Sequence, residues 1–327
     1  MSRALIGLLT STTAFAPPTP LRRPRLLLAR LASTAPPPPA VANRVDVHCH
    51  LVHAQFGVDY ERGGASSAAD LTGALAAADR AAAAGVEYVV LNGLEPVSNL
   101  LCLELAKQRP GFLLPALGIY PLDACAAAGG IDAAAWPHDF PPPAAFDWRA
   151  EVARIDAAAG RGEIVAVGEC GLDAFYVKTP AAMAAQEDVL RALCRVAVKH
   201  DLPVILHTRK AEARVLEILL EEDVRKADFH CYSGKLKLAK RIAAHGYCIS
   251  IPAAVERVAQ YQQIAAALPL EAILTETDSP YMGPDQGERN EPANAVRGCR
   301  GIAAARGMDE EACAAAIREN ARALFGR

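Results

Sequence analysis

Eight short runs rich in β-branched and aliphatic residues recur along this chain, and each gives way to a longer, alanine-rich stretch with helical spacing. Strands are predicted at 45–49, 86–91, 112–119, 163–168, 203–206, 225–230, 246–251 and 271–276. Helices are predicted between and after them at 70–84, 96–108, 144–160, 180–200, 211–222, 235–244, 253–267, 292–306 and 309–323. Strand and helix in strict alternation is the pattern of a parallel sheet with helical crossovers. Eight units over roughly 285 residues have the count and size of a (β/α)8 barrel, an α/β fold of the TIM type in one domain. An open doubly wound sheet is the alternative, but no G-x-G-x-x-G or Walker loop follows any of the strands. A composition 52% hydrophobic supplies the core that either fold needs.

Residues 1–42 break the pattern. They hold five Arg, no Lys, no Asp or Glu, and the proline run Pro36 to Pro39. Such a segment reads as a cleavable, disordered targeting presequence, which leaves 43–327 as the folded body. Arg3, a short apolar run and Ala14-Phe15-Ala16-Pro17 resemble the two-part presequences of plastids, and a mitochondrial presequence is the alternative. Without this segment the chain carries 29 Lys and Arg against 37 Asp and Glu, so a generally basic nucleic-acid-binding coat is excluded. No run approaches the roughly 20 apolar residues of a membrane span. Nine cysteines, an odd number with no C-x-x-C, argue for a reducing compartment and against a disulfide framework.

The ionisable residues fall in a restricted set of places. His48 and His50 end the first predicted strand, Glu169 the fourth, His207 the fifth and His230 the sixth, and Asp278 follows the eighth. All are at carboxyl ends, the face on which barrel active sites are assembled. Residues i and i+2 of a strand share a face, so His48 and His50 present two imidazoles together. Four imidazoles and two carboxylates at one mouth suit two divalent cations with one bridging carboxylate. Taken singly, each residue has a plainer reading: a hydrogen-bonded core histidine, a solvated strand-end charge, or a turn cap for Asp278 before Ser279-Pro280. Their coincidence on five strands favours the metal. His53, His138, His200 and His245 fall in predicted loops or near helix ends and receive no chemical role. Cys49, Cys170 and Cys231 adjoin the candidate ligands and are read as packing residues.

These residues stand in recognisable motifs. They are Asp46-Val47-His48-Cys49-His50, Gly168-Glu169-Cys170-Gly171-Leu172-Asp173, Leu206-His207-Thr208-Arg209, His230-Cys231-Tyr232-Ser233-Gly234 and Glu276-Thr277-Asp278-Ser279-Pro280-Tyr281. In order and spacing they resemble the TatD family of metal-dependent deoxyribonucleases, from about 44 to 327. The resemblance implies an amidohydrolase-like TIM barrel with one cation on His48, His50, Glu169 and Asp278 and the other on Glu169, His207 and His230. It also implies hydrolysis of nucleic-acid phosphodiesters, commonly from 3′ ends. One position departs: family members commonly have a His before the Pro that follows the third strand, and this chain has Tyr120 before Pro121.

Paired cations lower the pKa of a shared water and neutralise phosphate oxygens. Asp278 is the candidate proton acceptor and Glu169 the bridging carboxylate. Arg209, helped by Lys210, is the candidate phosphate contact, and Tyr232 a candidate base-stacking residue together with Tyr176 and Tyr281. Mg2+, Mn2+ and Zn2+ all suit such ligands. The partner expected is nucleic acid, single-stranded or at its 3′ ends. Two other classes stay open: a metallohydrolase of the same scaffold acting on an ester, lactone or aminoacyl-tRNA, and a non-enzymatic metal-bound scaffold.

Overall fold

Every expected strand forms, and each pairs in parallel with its successor in the order β1 to β8. The computed structural model describes residues 43–64, 68–128, 136 and 141–326; the expected presequence at 1–42 lies outside the described residues. The strands are β1 (Arg44–Cys49), β2 (Val86–Asn92), β3 (Leu113–Leu117), β4 (Ala166–Asp173), β5 (Val204–Arg209), β6 (Ala227–Phe229), β7 (Cys248–Pro252) and β8 (Ile273–Glu276). The helices are α1 (Thr72–Ala83), α2 (Pro96–Gln108), α3 (Pro121–Ala127), α4 (Trp148–Gly160), α5 (Pro180–His200), α6 (Glu212–Glu221), α7 (Leu236–Ala244), α8 (Ala259–Ala267), α9 (Ala295–Arg306) and α10 (Glu310–Phe325).

The last strand returns to the first. Thr275 Oγ1 donates to the Val45 carbonyl at 2.6 Å, Asp278 N to the His48 carbonyl at 2.9 Å and His50 N to the Ser279 carbonyl at 2.7 Å. A parallel bridge between Cys49 and Ser279 completes the seam. This is the (β/α)8 barrel expected from the alternation. Along β1, Val45, Val47 and Cys49 are buried in the hydrophobic core, in the layer covered by α9 and α10. The alternate residues Asp46 and His48 bond across the inside of the barrel. Among the described residues, no helix is long and apolar enough to cross a membrane.

Local chemistry sets the helix starts. Glu95 and Ser98 form a reciprocal cap on α2 with Pro96 in its first turn, and Thr179 and Asp309 accept from the opening turns of α5 and α10. Several boundaries differ from the sequence expectation. Helix α4 begins at Trp148, capped by Asp147, instead of at 144. The expected helix at 253–267 is a 3-10 turn, Ala253–Glu256, followed by α8, because Val258 is extended. Residues 292–294 likewise form a 3-10 turn before α9. Strand β4 runs on to Asp173, so Glu169 lies inside it and not at its end. Helix α3 stands in the long excursion between the third expected strand, which ends at 119, and the expected helix at 144–160, where the sequence predicts no element; Pro121 and Asp123 are in its first turn.

Candidate metal centre

Period-two alternation carries one row of side chains from each strand into the carboxyl-end mouth. Asp46, His48 and His50 come from β1; Glu169 and Asp173 from β4; His207 and Arg209 from β5; Asp228 and His230 from β6 and its exit; Glu276 and Asp278 from β8 and its exit. Strand β4 can approach β5 this closely because position 171 is glycine. It has φ +144°, and a Cβ there would lie 2.0 Å from the His207 carbonyl oxygen. The mouth opens as a cleft of about 450 Å³ whose walls include His50, Glu169, His207, His230, Asp278 and Tyr120.

Glu169 divides its carboxylate between two pairs of imidazoles. Oε2 faces His48 Nε2 at 3.5 Å and His50 Nε2 at 3.3 Å. Oε1 faces His207 Nδ1 and His230 Nε2, each at 3.1 Å. Asp278 Oδ1 stands 3.8 Å from His48 Nε2 and 3.6 Å from His50 Nε2. The rings of His48 and His230 stack with centroids 3.8 Å apart. Three groups of donor atoms are close enough for one ion each: His48, His50 and Glu169; Glu169, His207 and His230; and His48, His230 and Asp278.

The donor atoms fit a cation. His50 Nδ1 lies 3.1 Å from the Asn92 carbonyl, which accepts only, so the neutral ring carries its proton there and presents the Nε2 lone pair. That lone pair points at His48 Nε2, 3.1 Å away. Two such nitrogens face each other favourably only with a proton or a metal between them. Burial pushes the Glu169 carboxyl up, but the imidazoles, His230 foremost, outweigh it and hold it well below the usual carboxylate range. Burial lowers His50, His207 and His230, and Glu169 overcomes it to raise all three, together with Asp278 at His50, Asp173 at His207 and Glu276 at His230. His48, most deeply buried and next to His230, is held well below the usual imidazole range. Burial raises Asp278 to about 7 against the pull of His230 and His50. This donor set suits a divalent cation, whose binding would release protons from the imidazoles.

A second layer fixes these ligands. Asp46 accepts from Thr277 N at 2.8 Å and Thr277 Oγ1 at 2.6 Å, which ties β1 to the backbone before Asp278. Glu276 Oε2 lies 3.5 Å from His230 Nδ1 and accepts from Ser250 Oγ at 2.5 Å. Asp173 Oδ2 sits 3.1 Å from His207 Nε2. Metal-binding histidines are commonly oriented by carboxylates in this manner.

All six residues expected as ligands from the sequence therefore converge. Arg209 is in the cleft wall. Lys210 is exposed and its side chain is not part of that wall. Tyr232 requires a correction: it is 1% exposed, its hydroxyl donates to the Lys235 carbonyl at 3.0 Å, and it packs in the core instead of facing substrate. Tyr176 and Tyr281 do border the cleft. So does His53, which had been given no role, with Nε2 3.0 Å from the Tyr281 hydroxyl. Cys49 and Cys170 are buried packing residues as expected, whereas Cys231 borders the cleft, 3.2 Å from the Tyr261 hydroxyl. Asp173 and Glu276 went unassigned although alternation puts them on the ligand faces, four residues after Glu169 and two before Asp278. Tyr120 is buried with its ring edge-on to His207, centroids 4.9 Å apart.

Residues 45–326 match the family model of TatD related DNases. The chain belongs to this family. It is a TatD-family metal-dependent hydrolase of phosphodiester bonds, and the convergence of its candidate ligands is consistent with a bound metal. The human deoxyribonuclease TATDN3 is 30% identical over 283 residues, covering 86% of this chain and 94% of its own. The "3'-5' ssDNA/RNA exonuclease TatD" of Citrobacter rodentium is 31% identical over 259 residues, covering 76% and 89%. Among solved structures, the TatD homologue YJJV of Escherichia coli superimposes with a TM-score of 0.70 at 26% identity, covering 88% of this chain and 99% of its own. The mouth of this chain thus brings together the six residues expected as ligands, with Tyr120 edge-on to His207.

Proposed function

We propose that this TatD-family protein is a two-metal 3′–5′ exonuclease acting on single-stranded nucleic acid, DNA foremost. The observation that carries the reading is Glu169, one oxygen of which faces each imidazole pair. His48, His50, Glu169 and Asp278 would hold one divalent cation, and Glu169, His207 and His230 would hold the other. When bound, such cations polarise the phosphate, screen the leaving group and lower the pKa of the attacking water. The protein supplies the rest. Asp278, with a pKa of about 7 before metal enters, is placed to accept the water's proton. Glu169 keeps the two ligand groups at a fixed separation. Arg209, in the cleft wall, binds a non-bridging phosphate oxygen pair and orients it for in-line attack. Relatives bearing the name of a 3′–5′ single-strand exonuclease support the polarity and substrate.

The acid-free 1–42 segment is an organelle presequence in this reading, addressed to the plastid, with the mitochondrion as the alternative. A reporter carrying only that segment should be found in the organelle; a cytosolic reporter would refute the address. The activity is tested by incubating the protein, after chelation and with divalent metal restored, with single-stranded, duplex and 3′-blocked oligonucleotides. Metal-dependent shortening of the open single strand is expected. Equal rates on the 3′-blocked strand would exclude the exonuclease, and hydrolysis of small esters alone would exclude the nuclease.

A further inference from the structure

We infer that Phe175, Tyr176 and Arg209 form a subsite for one unpaired base of the substrate strand, the base next to the phosphate being cut. The inference rests on the nuclease reading above and adds to it the feature that selects single strands. The Arg209 guanidinium carbon lies 4.0 Å from the centre of the Phe175 ring and 4.6 Å from that of Tyr176. The two rings meet edge to face, 5.0 Å apart. Among the described residues no carboxylate pairs with Arg209, so its N–H groups remain for an anion. Phe175 is 43% exposed even with the guanidinium against it.

The position of the aromatic pair is not left to a loose loop. Phe175 N and Tyr176 N both donate to Asp173 Oδ1 at 2.8 Å, and the other oxygen of that carboxylate reaches His207 at 3.1 Å. Ala174 N donates to the Arg209 carbonyl at 2.9 Å. One carboxylate therefore holds both a metal ligand and the turn that carries the rings, while Arg209 follows His207 by two residues on the same face of β5. Distance from metal to rings is fixed within the rigid barrel. A phosphate on the cations and on Arg209 leaves its neighbouring base beside an aromatic and guanidinium surface. Such surfaces bind bases by stacking without regard to sequence. In a duplex that base is already stacked and paired, so the surface cannot reach it.

The test uses the full-length, metal-loaded enzyme on a single-stranded oligonucleotide and on copies with an abasic residue at successive positions from the 3′ end. The wild type should lose roughly 10- to 100-fold in kcat/KM at one abasic position. Phe175→Ala/Tyr176→Ala should lose as much on the intact strand and nothing further at that position. Phe175→Leu/Tyr176→Leu, which keeps apolar bulk without the ring faces, should behave the same. Metal content of both variants should match the wild type. Binding without metal gives a second readout: 2-aminopurine at the sensitive position should be quenched by the wild type and not by either variant. Undiminished rates in the variants, or equal losses on intact and abasic strands, would overturn the subsite while leaving the nuclease intact. A wild type that neither cuts nor quenches any oligonucleotide overturns both.

Discussion

Glu169 is where the chemistry of the site is most concentrated. Replacing it with Gln places an amide N–H2 against imidazole lone pairs and removes the one charge common to both ligand groups. Glu169→Gln should therefore lose metal as well as turnover, the latter by more than about 100-fold. Asp278→Asn should retain most of its metal, since His48, His50 and Glu169 remain, yet lose about 100- to 10,000-fold in kcat through the missing proton acceptor. Elemental analysis of both variants decides the matter: full metal in Glu169→Gln would deny it the bridging role. Glu276 acts through His230, so Glu276→Gln should weaken metal binding about 10- to 100-fold with the ligand set intact. A titration that matches the wild type would leave Glu276 with structure alone. The six candidate ligands were legible because they fall towards the carboxyl ends of five strands, although Glu169 lies inside β4, and alternation fixes the direction of a side chain there. Tyr232 was misread for the same reason. Strand β6 stops at Phe229 and Cys231 has φ +45°, so the period of two no longer applies two residues beyond His230.

At the scale of elements, the excursion after β3 is the part the sequence described least well. Helix α3 is too short for a helical period to be read, and what fixes it is a contact across the mouth. Arg62, in the loop after β1, donates to Asp123 Oδ2 of α3 at 2.6 Å and to the Pro141 carbonyl at 2.8 Å. Both partners of the ion pair are buried. Burial raises Asp123 to about 7 even with Arg62 pulling it down. Its folded pKa lies above its unfolded value near 3.8, so its contribution to stability is present at low pH and is lost as pH rises through the folded pKa. Arg62→Met removes the pull and leaves a bare buried charge. The variant should be destabilised by about 3–5 kcal/mol at pH 8 and by less at pH 5, where Asp123 carries its proton. Urea midpoints at the two pH values test this; an equal loss at both would show that the charge on Asp123 is not what Arg62 stabilises. Strand β4 shows the reverse limit. It was expected at 163–168 with Glu169 at its end, yet it runs on to Asp173, and the ladder to β5 uses Gly171 to bring two backbones together.

For the whole molecule, the alternation of elements was enough to give the barrel, since eight β/α units of this size have few other ways to bury both faces of every strand. The folded body is acidic, with 29 Lys and Arg against 37 Asp and Glu beyond residue 42. Nucleic acid should therefore be held by the cations and by a few local contacts. The expected slope of log affinity against log salt is small, about two to three. Binding to a single-stranded oligonucleotide over a salt series would show this, and a slope several times steeper would reveal a basic surface not accounted for. Metal should also stabilise the fold. At a hundredfold excess over Kd it adds about 2.7 kcal/mol, so chelation should lower the melting temperature measurably. A melting temperature indifferent to chelator would mean that no cation binds the folded site.

The seam between β1 and β8 has a temporal consequence. Asp46 waits for Thr277, 231 positions later, and His48 for the backbone of Asp278. On the ribosome, then, the first histidines emerge long before the residues that will enclose them, and the six candidate ligands cannot come together until the eighth strand and Asp278 have been made. A product that stops before the eighth strand lacks Thr277 and Asp278 and should be inactive.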